Sequence, residues 1–139
     1  MEERGLFSRF FGVDVAVESI DDALFIFRDC LGLQQFGPIT SGDEGSGYRW
    51  VRLGLNGQPF MSLLDSPGPG PVRRFLERHG EGLYQLTLET PDLESTTQAL
   101  RQEGIEILEP AHSNEAGSLF VHPRSACGVL VELMQQSSD

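Results

Sequence analysis

The sequence is poor in positive charge, in cysteine and histidine, and in long apolar runs, and each shortage closes off a class of function. There is no lysine: all ten basic residues are arginines, set against 21 acidic ones, for a net charge of −11. A surface this acidic repels nucleic acid and anionic membrane alike, which argues against both as partners. The two cysteines, Cys30 and Cys127, lack CxxC spacing and are read as reduced and structural, with Cys30 on a helix face and Cys127 opening a strand. The three histidines, His79, His112 and His122, are scattered and read as a helix end, a polar loop and a turn, not as metal ligands. No apolar stretch approaches the roughly 18 residues of a membrane span, and the charged start from Met1 to Arg9 does not read as a secretory signal. These exclusions point to the cytoplasm and to a small-molecule substrate or ligand. A length of 139 residues suits one domain covering 1–139.

What is present is a weak internal repeat. An alternating apolar run from Phe11 to Val17 leads into Ser19-Ile-Asp-Asp22 and a helix with Ile20, Ala23, Leu24, Phe27 and Leu31 on one stripe. A second run from Tyr84 to Thr90 leads into Pro91-Asp-Leu-Glu94 and a helix with Leu93, Thr97 and Leu100. An offset of 73 pairs Val13 with Leu86, Val15 with Leu88, Ile20 with Leu93 and Gly12 with Gln85. Ser19 and Asp92 are the expected N-caps, and Gly104 the stop of the second helix. Strands are expected at about 33–39, 48–55 and 59–64, and again at about 105–108, 118–122 and 128–134.

Each half therefore reads β-α-β-β-β, with repeat one at about 11–65, a Pro/Gly linker at 66–71, a short helix at about 72–79, and repeat two at about 82–134. The predicted fold class is α+β, two βαβββ repeats forming one curved mixed sheet with a concave cleft. Strand alternation puts Val13, Val15 and Val17 on the helix side. It leaves Gly12, Asp14, Gln85, Thr87 and Glu132 for the cleft side, where Tyr84, Trp50 and Phe120 offer aromatic walls.

Three segments carry a family resemblance. Pro71 to Thr90, with Gly82-Leu-Tyr-Gln-Leu-Thr-Leu-Glu-Thr90, resembles the methylmalonyl-CoA epimerase segment that leads into a His-His-Ile pattern. Val121-His-Pro-Arg-Ser-Ala-Cys-Gly-Val-Leu-Val-Glu-Leu133 resembles the closing strand of those enzymes, and Ala16 to Leu24 with Leu31-Gly32 resembles their opening unit. The chain thus resembles the vicinal-oxygen-chelate (glyoxalase/bleomycin resistance/dioxygenase) superfamily. The resemblance implies a divalent metal held by one residue from each of four strands, and often a homodimer.

Carried over, the four ligand positions become Gly12, Ser62, Gln85 and Glu132. Only Glu132 matches the pattern, and Gln85 keeps an amide oxygen; Gly12 and Ser62 are poor or empty. The implied cofactor is therefore none, or a weakly held divalent cation of the Mg²⁺ or Mn²⁺ kind on Gln85 and Glu132. The implied activity is that of an isomerase or lyase removing a proton next to a carbonyl, of an acyl-CoA for instance. Glu132 is the base, and Gln85 its catalytic companion. Asp14, Ser62, Tyr84, Trp50, Phe120 and Arg124 form the substrate-binding set, while Arg73, Arg74 and Arg78 are placed to meet the phosphates of a coenzyme A tail. The alternative is a metal-free protein of the bleomycin-resistance type that binds a small molecule or antibiotic, for which the acidic charge suits a cationic ligand.

Overall fold

The computed structural model describes residues 5–42, 47–109 and 118–137. Two compact units divide the chain: Gly12–Tyr84, and Met1–Phe11 together with Gln85–Asp139.

The first unit takes most of strand β1 (Arg9–Ala16), helix α1 (Ile20–Leu24), strands β2 (Gln34–Ser41), β3 (Arg49–Leu55) and β4 (Gln58–Asp65), and helix α2 (Pro71–His79). Its strands lie in the order β2-β3-β4-β1, antiparallel except for the parallel β4–β1 pair. Ser19 caps α1 as expected, its hydroxyl accepting from the Asp22 amide. Ile20 and Leu24 then pack with Val17, Val51, Leu53, Met61 and Leu63, and with the half-buried Val13 and Val15. One side of the sheet is thereby covered.

The expected α1 stripe fails at its last member, because Leu31 is exposed. From Phe25 to Cys30 the helix is π-type, and the Leu31 amide bonds back to Ile26, five residues earlier. The wider turn breaks the 3.6-residue periodicity and rotates Leu31 out to solvent. On the sheet's other side α2 lays Val72 and Leu76 over Ala16 and Leu64, with Tyr48, Trp50, Phe75 and Tyr84 packed around them.

The second unit takes most of β5 (Gly82–Thr90), α3 (Leu93–Gln102), β6 (Ile107–Leu108), β7 (Ser118–Val121) and β8 (Val131–Gln135), in strand order β5-β8-β7-β6, again with one parallel pair, β5–β8. Asp92 caps α3 through the Ser95 amide, and Gly104, at φ 83°, follows its end. The same βαβββ order thus occurs twice, with four-stranded mixed sheets. The final strand starts at Val131, three residues later than expected. Cys127 does not open it: it is exposed, at φ 58°, in the turn that precedes it. No helix among the described residues is long and apolar enough to cross a membrane.

Candidate functional site

In the second unit β5 and β8 run in parallel with Thr87 opposite Glu132, and β7 places Phe120 opposite Glu132 on its other side. Directly paired residues project from the same face, so Thr87, Glu132 and Phe120 form one row. Leu133, the residue after Glu132, is buried on the opposite face. Glu132 is half-buried, and its Oε1 accepts twice: from the Thr87 hydroxyl at 2.8 Å and from Nε2 of Gln85 at 3.3 Å. Thr87 is itself buried. Two donors on one oxygen fix the plane of the carboxyl group. Gln85, Thr87 and Glu132 are thus brought together. Thr87 belongs to the polar parity of β5, but the sequence alone had no means of joining it to a strand some 45 residues away.

In the first unit a second row crosses the sheet. Asp14 on β1 lies opposite Ser62 on β4, Ser62 opposite Arg52 on β3, and Arg52 opposite Phe36 on β2. Asp14 and Ser62 are therefore neighbours. Trp50 and Tyr84, the proposed aromatic walls, are half-buried in the cluster beneath α2, where Tyr84 meets Phe75 edge-on at 5.1 Å.

Other predicted groups are engaged elsewhere. Arg124 is exposed and forked onto Glu106, at 2.7 and 3.1 Å, and its guanidinium holds the Glu106 carboxyl below the usual range. Arg73 donates to the Ser66 carbonyl at 2.8 and 3.2 Å and to Glu18 at 3.2 Å. The ring of His79 lies 4.9 Å from that of Phe75, and Nδ1 of His122 accepts from the Arg124 amide at 3.1 Å. His112 lies outside the described residues.

The divalent metal that the resemblance implies does not fit these residues. Among the described residues no group of three or more His, Cys, Asp or Glu side chains is placed to hold one. At Gly12 the mismatch lies in the backbone itself. Its φ is 153°, and a Cβ built there would stand 2.6 Å from the Phe60 carbonyl oxygen and 2.9 Å from its carbon. An imidazole needs a Cβ, so this position is closed to one as the chain now folds. Gln85 and Glu132 alone make a two-donor oxygen set, with Oε1 already receiving two hydrogen bonds. Transition-metal sites in proteins use about three protein donors or more.

Comparison with known proteins agrees with the architecture. Residues 13–122 match the glyoxalase/bleomycin resistance protein/dioxygenase superfamily. The ethylmalonyl-CoA/methylmalonyl-CoA epimerase of Cereibacter sphaeroides is 30% identical over 131 residues, covering 88% of this chain and 94% of that one. The mitochondrial methylmalonyl-CoA epimerase of mouse is 28% identical, covering 88% and 70%. Among solved structures, methylmalonyl-CoA epimerase from Mycobacterium tuberculosis superposes with a TM-score of 0.82 at 27% identity, over 99% of this chain and 94% of that one. With its βαβββ order found twice and its sequence matched over most of its length, the chain belongs to the glyoxalase/bleomycin resistance protein/dioxygenase superfamily.

Proposed function

We propose that the protein is an epimerase-type enzyme acting on a small acyl-CoA, with Glu132 as the base that removes the proton next to the thioester carbonyl. The relatives named above support an epimerase-like acyl-CoA function. The observation that carries the assignment of the base is the fixed Glu132 carboxylate, bound by Thr87 and Gln85 in a half-buried row beside Phe120. Glu132 accepts the α-proton and becomes a carboxylic acid, leaving an enolate whose negative charge falls mainly on the former carbonyl oxygen. Beside the base, the Gln85 amide, engaged with Glu132 and elsewhere within the chain, can share a hydrogen bond with the developing oxyanion. One such donor is worth about 10²–10³ in rate. Return of a proton from water to the opposite face, with the proton on Glu132 passing to the hydroxide left behind, completes the inversion and restores the carboxylate, whereas return from Glu132 to the original face regenerates the starting material.

The test is uptake of solvent deuterium at the α-carbon of methylmalonyl-CoA, measured by mass spectrometry in the presence of a chelator. The wild type is expected to incorporate one deuteron. Glu132→Gln, which keeps the shape of the side chain but not its basicity, is expected to slow uptake by about 10²–10⁴. Equal uptake by wild type and variant sinks the assignment of the base.

The closed backbone at Gly12 favours a second reading, a metal-free binding protein on the same fold. Saturable binding of a cationic aromatic compound, with no uptake under any condition, would decide for it.

A further inference from the structure

The tip of the β3–β4 hairpin carries a reactive pair of residues. Leu55 on β3 is in register with Gln58 on β4, so Asn56 and Gly57 alone make the turn. Both stand at positive φ, 52° and 75°, which is the backbone of a two-residue type I′ turn. Asn56 and Gly57 are exposed, as are Leu55 and Gln58 beside them, so water reaches the turn.

An asparagine followed by glycine brings an electrophile and a nucleophile together. The Gly57 nitrogen can close on Cγ of Asn56 in a five-membered ring, and glycine has no Cβ to shield that nitrogen. The reaction needs only water. The Gly57 nitrogen gives up its proton and bonds to Cγ, the Cγ–Nδ2 bond breaks, and Nδ2 leaves with a proton as ammonia. Water then opens the succinimide ring. Opening at Cγ gives aspartate; opening at the main-chain carbonyl gives isoaspartate, with an extra methylene in the backbone.

The fold governs how readily this happens. The Gly57 amide donates to Oε1 of Gln34 at 2.9 Å. Gln34 is exposed at the start of β2, opposite Gly54. The bond keeps the proton on nitrogen, because an anionic nitrogen would be repelled by the Gln34 oxygen. It also holds the peptide plane between Asn56 and Gly57, which must rotate for the ring to close. Behind the turn there is little slack. A Cβ on Gly54 would overlap the Gln58 carbonyl oxygen, where the β3–β4 register shifts. A longer backbone at 56 would press on that approach.

We propose that Asn56 is a site of spontaneous covalent modification, converted by water to aspartate and isoaspartate, and that Gln34 restrains the conversion by holding the Gly57 amide. Every residue involved belongs to the Gly12–Tyr84 unit, and the conversion is independent of the acyl-CoA reading above.

The intact protein, incubated at mildly alkaline pH to favour loss of the amide proton, tests the proposal. Peptide mass spectrometry, with the two products separated, follows residue 56. The wild type is expected to convert, but more slowly than the same chain unfolded in guanidinium. Gln34→Ala is expected to speed conversion about two- to tenfold, the worth of one hydrogen bond. Gln34→Glu keeps an acceptor and is expected to stay at or below the wild-type rate. Conversion only in the unfolded chain overturns the site. Native conversion as fast as unfolded, or equal rates in wild type and Gln34→Ala, overturns the restraint. Should Gln34→Ala lower the guanidinium midpoint, Gln34→Glu carries the test, and a rate raised to that of the alanine variant overturns the restraint.

Discussion

The two halves hand the first amide of their helix to the same place by different chemistry. In the first, the Ile20 amide donates to the Asp65 carboxylate at the end of β4, at 2.9 Å. In the second, the Leu93 amide donates to the Gln135 side chain at the end of β8, also at 2.9 Å. Asp65 is buried, and Arg49 clamps it through Nε at 2.9 Å and Nη2 at 2.6 Å. Gln135 is exposed, and its amide turns back to the Pro91 carbonyl at 2.8 Å. The same geometric requirement is thus met by an ion pair with a buried carboxylate and a half-exposed guanidinium in one half, and by a neutral, solvated amide in the other. The cores follow suit. Where the first half has Val17, Ala23 and Leu24, the offset of 73 finds Thr90, Thr96 and Thr97 in the second. All three threonines are buried. The hydroxyls of Thr90 and Thr96 bond each other at 2.7 Å, whereas the Thr97 hydroxyl has no partner among the described residues. A fold needs the volumes filled and the amides satisfied, and is tolerant about which groups do it.

That contrast can be broken most forcefully at Asp65. Asp65→Asn leaves Arg49 without its counter-charge beside a buried site, and is expected to cost about 3 kcal/mol in urea unfolding; the partial exposure of Arg49 keeps the figure low in the usual range. Gln135→Ala is expected to cost less than about 1 kcal/mol, since water replaces the lost acceptor. Equal losses at the two sites would erase the difference between the halves.

Gly12→Ala tests whether the first half is committed to its backbone. It is expected to lose about 1–3 kcal/mol through the contact with Phe60 and the positive φ. The thermal midpoint reads it, and a variant as stable as wild type would show that the strand yields freely.

Thr97→Val sharpens the comparison from the other half. It keeps the shape and removes a buried hydroxyl without a partner, so it is expected to stabilise by about 1 kcal/mol, or roughly 3–5 °C. A drop in the thermal midpoint would mean that the hydroxyl is satisfied in solution.

The smallest effect concerns pH and the exposed Glu106–Arg124 pair of the second half. The Arg124 guanidinium hydrogen-bonds the Glu106 carboxylate and lowers its folded pKa. A carboxyl with a lowered folded pKa adds stability above its unfolded value, and that contribution vanishes as pH falls through the folded value. Carboxyl NMR is expected to show the Glu106 midpoint rising in Arg124→Gln, with little change in stability because both groups are solvated.

Local signals in the sequence carried most of the fold. Ser19 and Asp92 announced their helices because a cap depends on a few adjacent residues, and the offset between them exposed the repeat. Gln85 and Glu132 were reached by strand parity and resemblance. Their link through Thr87 needed the β5–β8 register, which sequence does not encode locally. The alignment of Arg52 with Ser62 and Asp14 was hidden for the same reason: parity puts Arg52 beside Trp50, but only the ladder puts it against them. The π-turn from Phe25 to Cys30 was also invisible, because apolar spacing looks regular until the helix widens.

The approach of Phe60 to Gly12 bears on the order in which substitutions can accumulate. Any side chain placed at 12 meets the main chain of the neighbouring strand first, so Gly12→His is expected to lower stability before it can offer a ligand. A compensating shift of β4 would have to accompany it. The glycine thus ties what position 12 can become to the placement of the strand beside it.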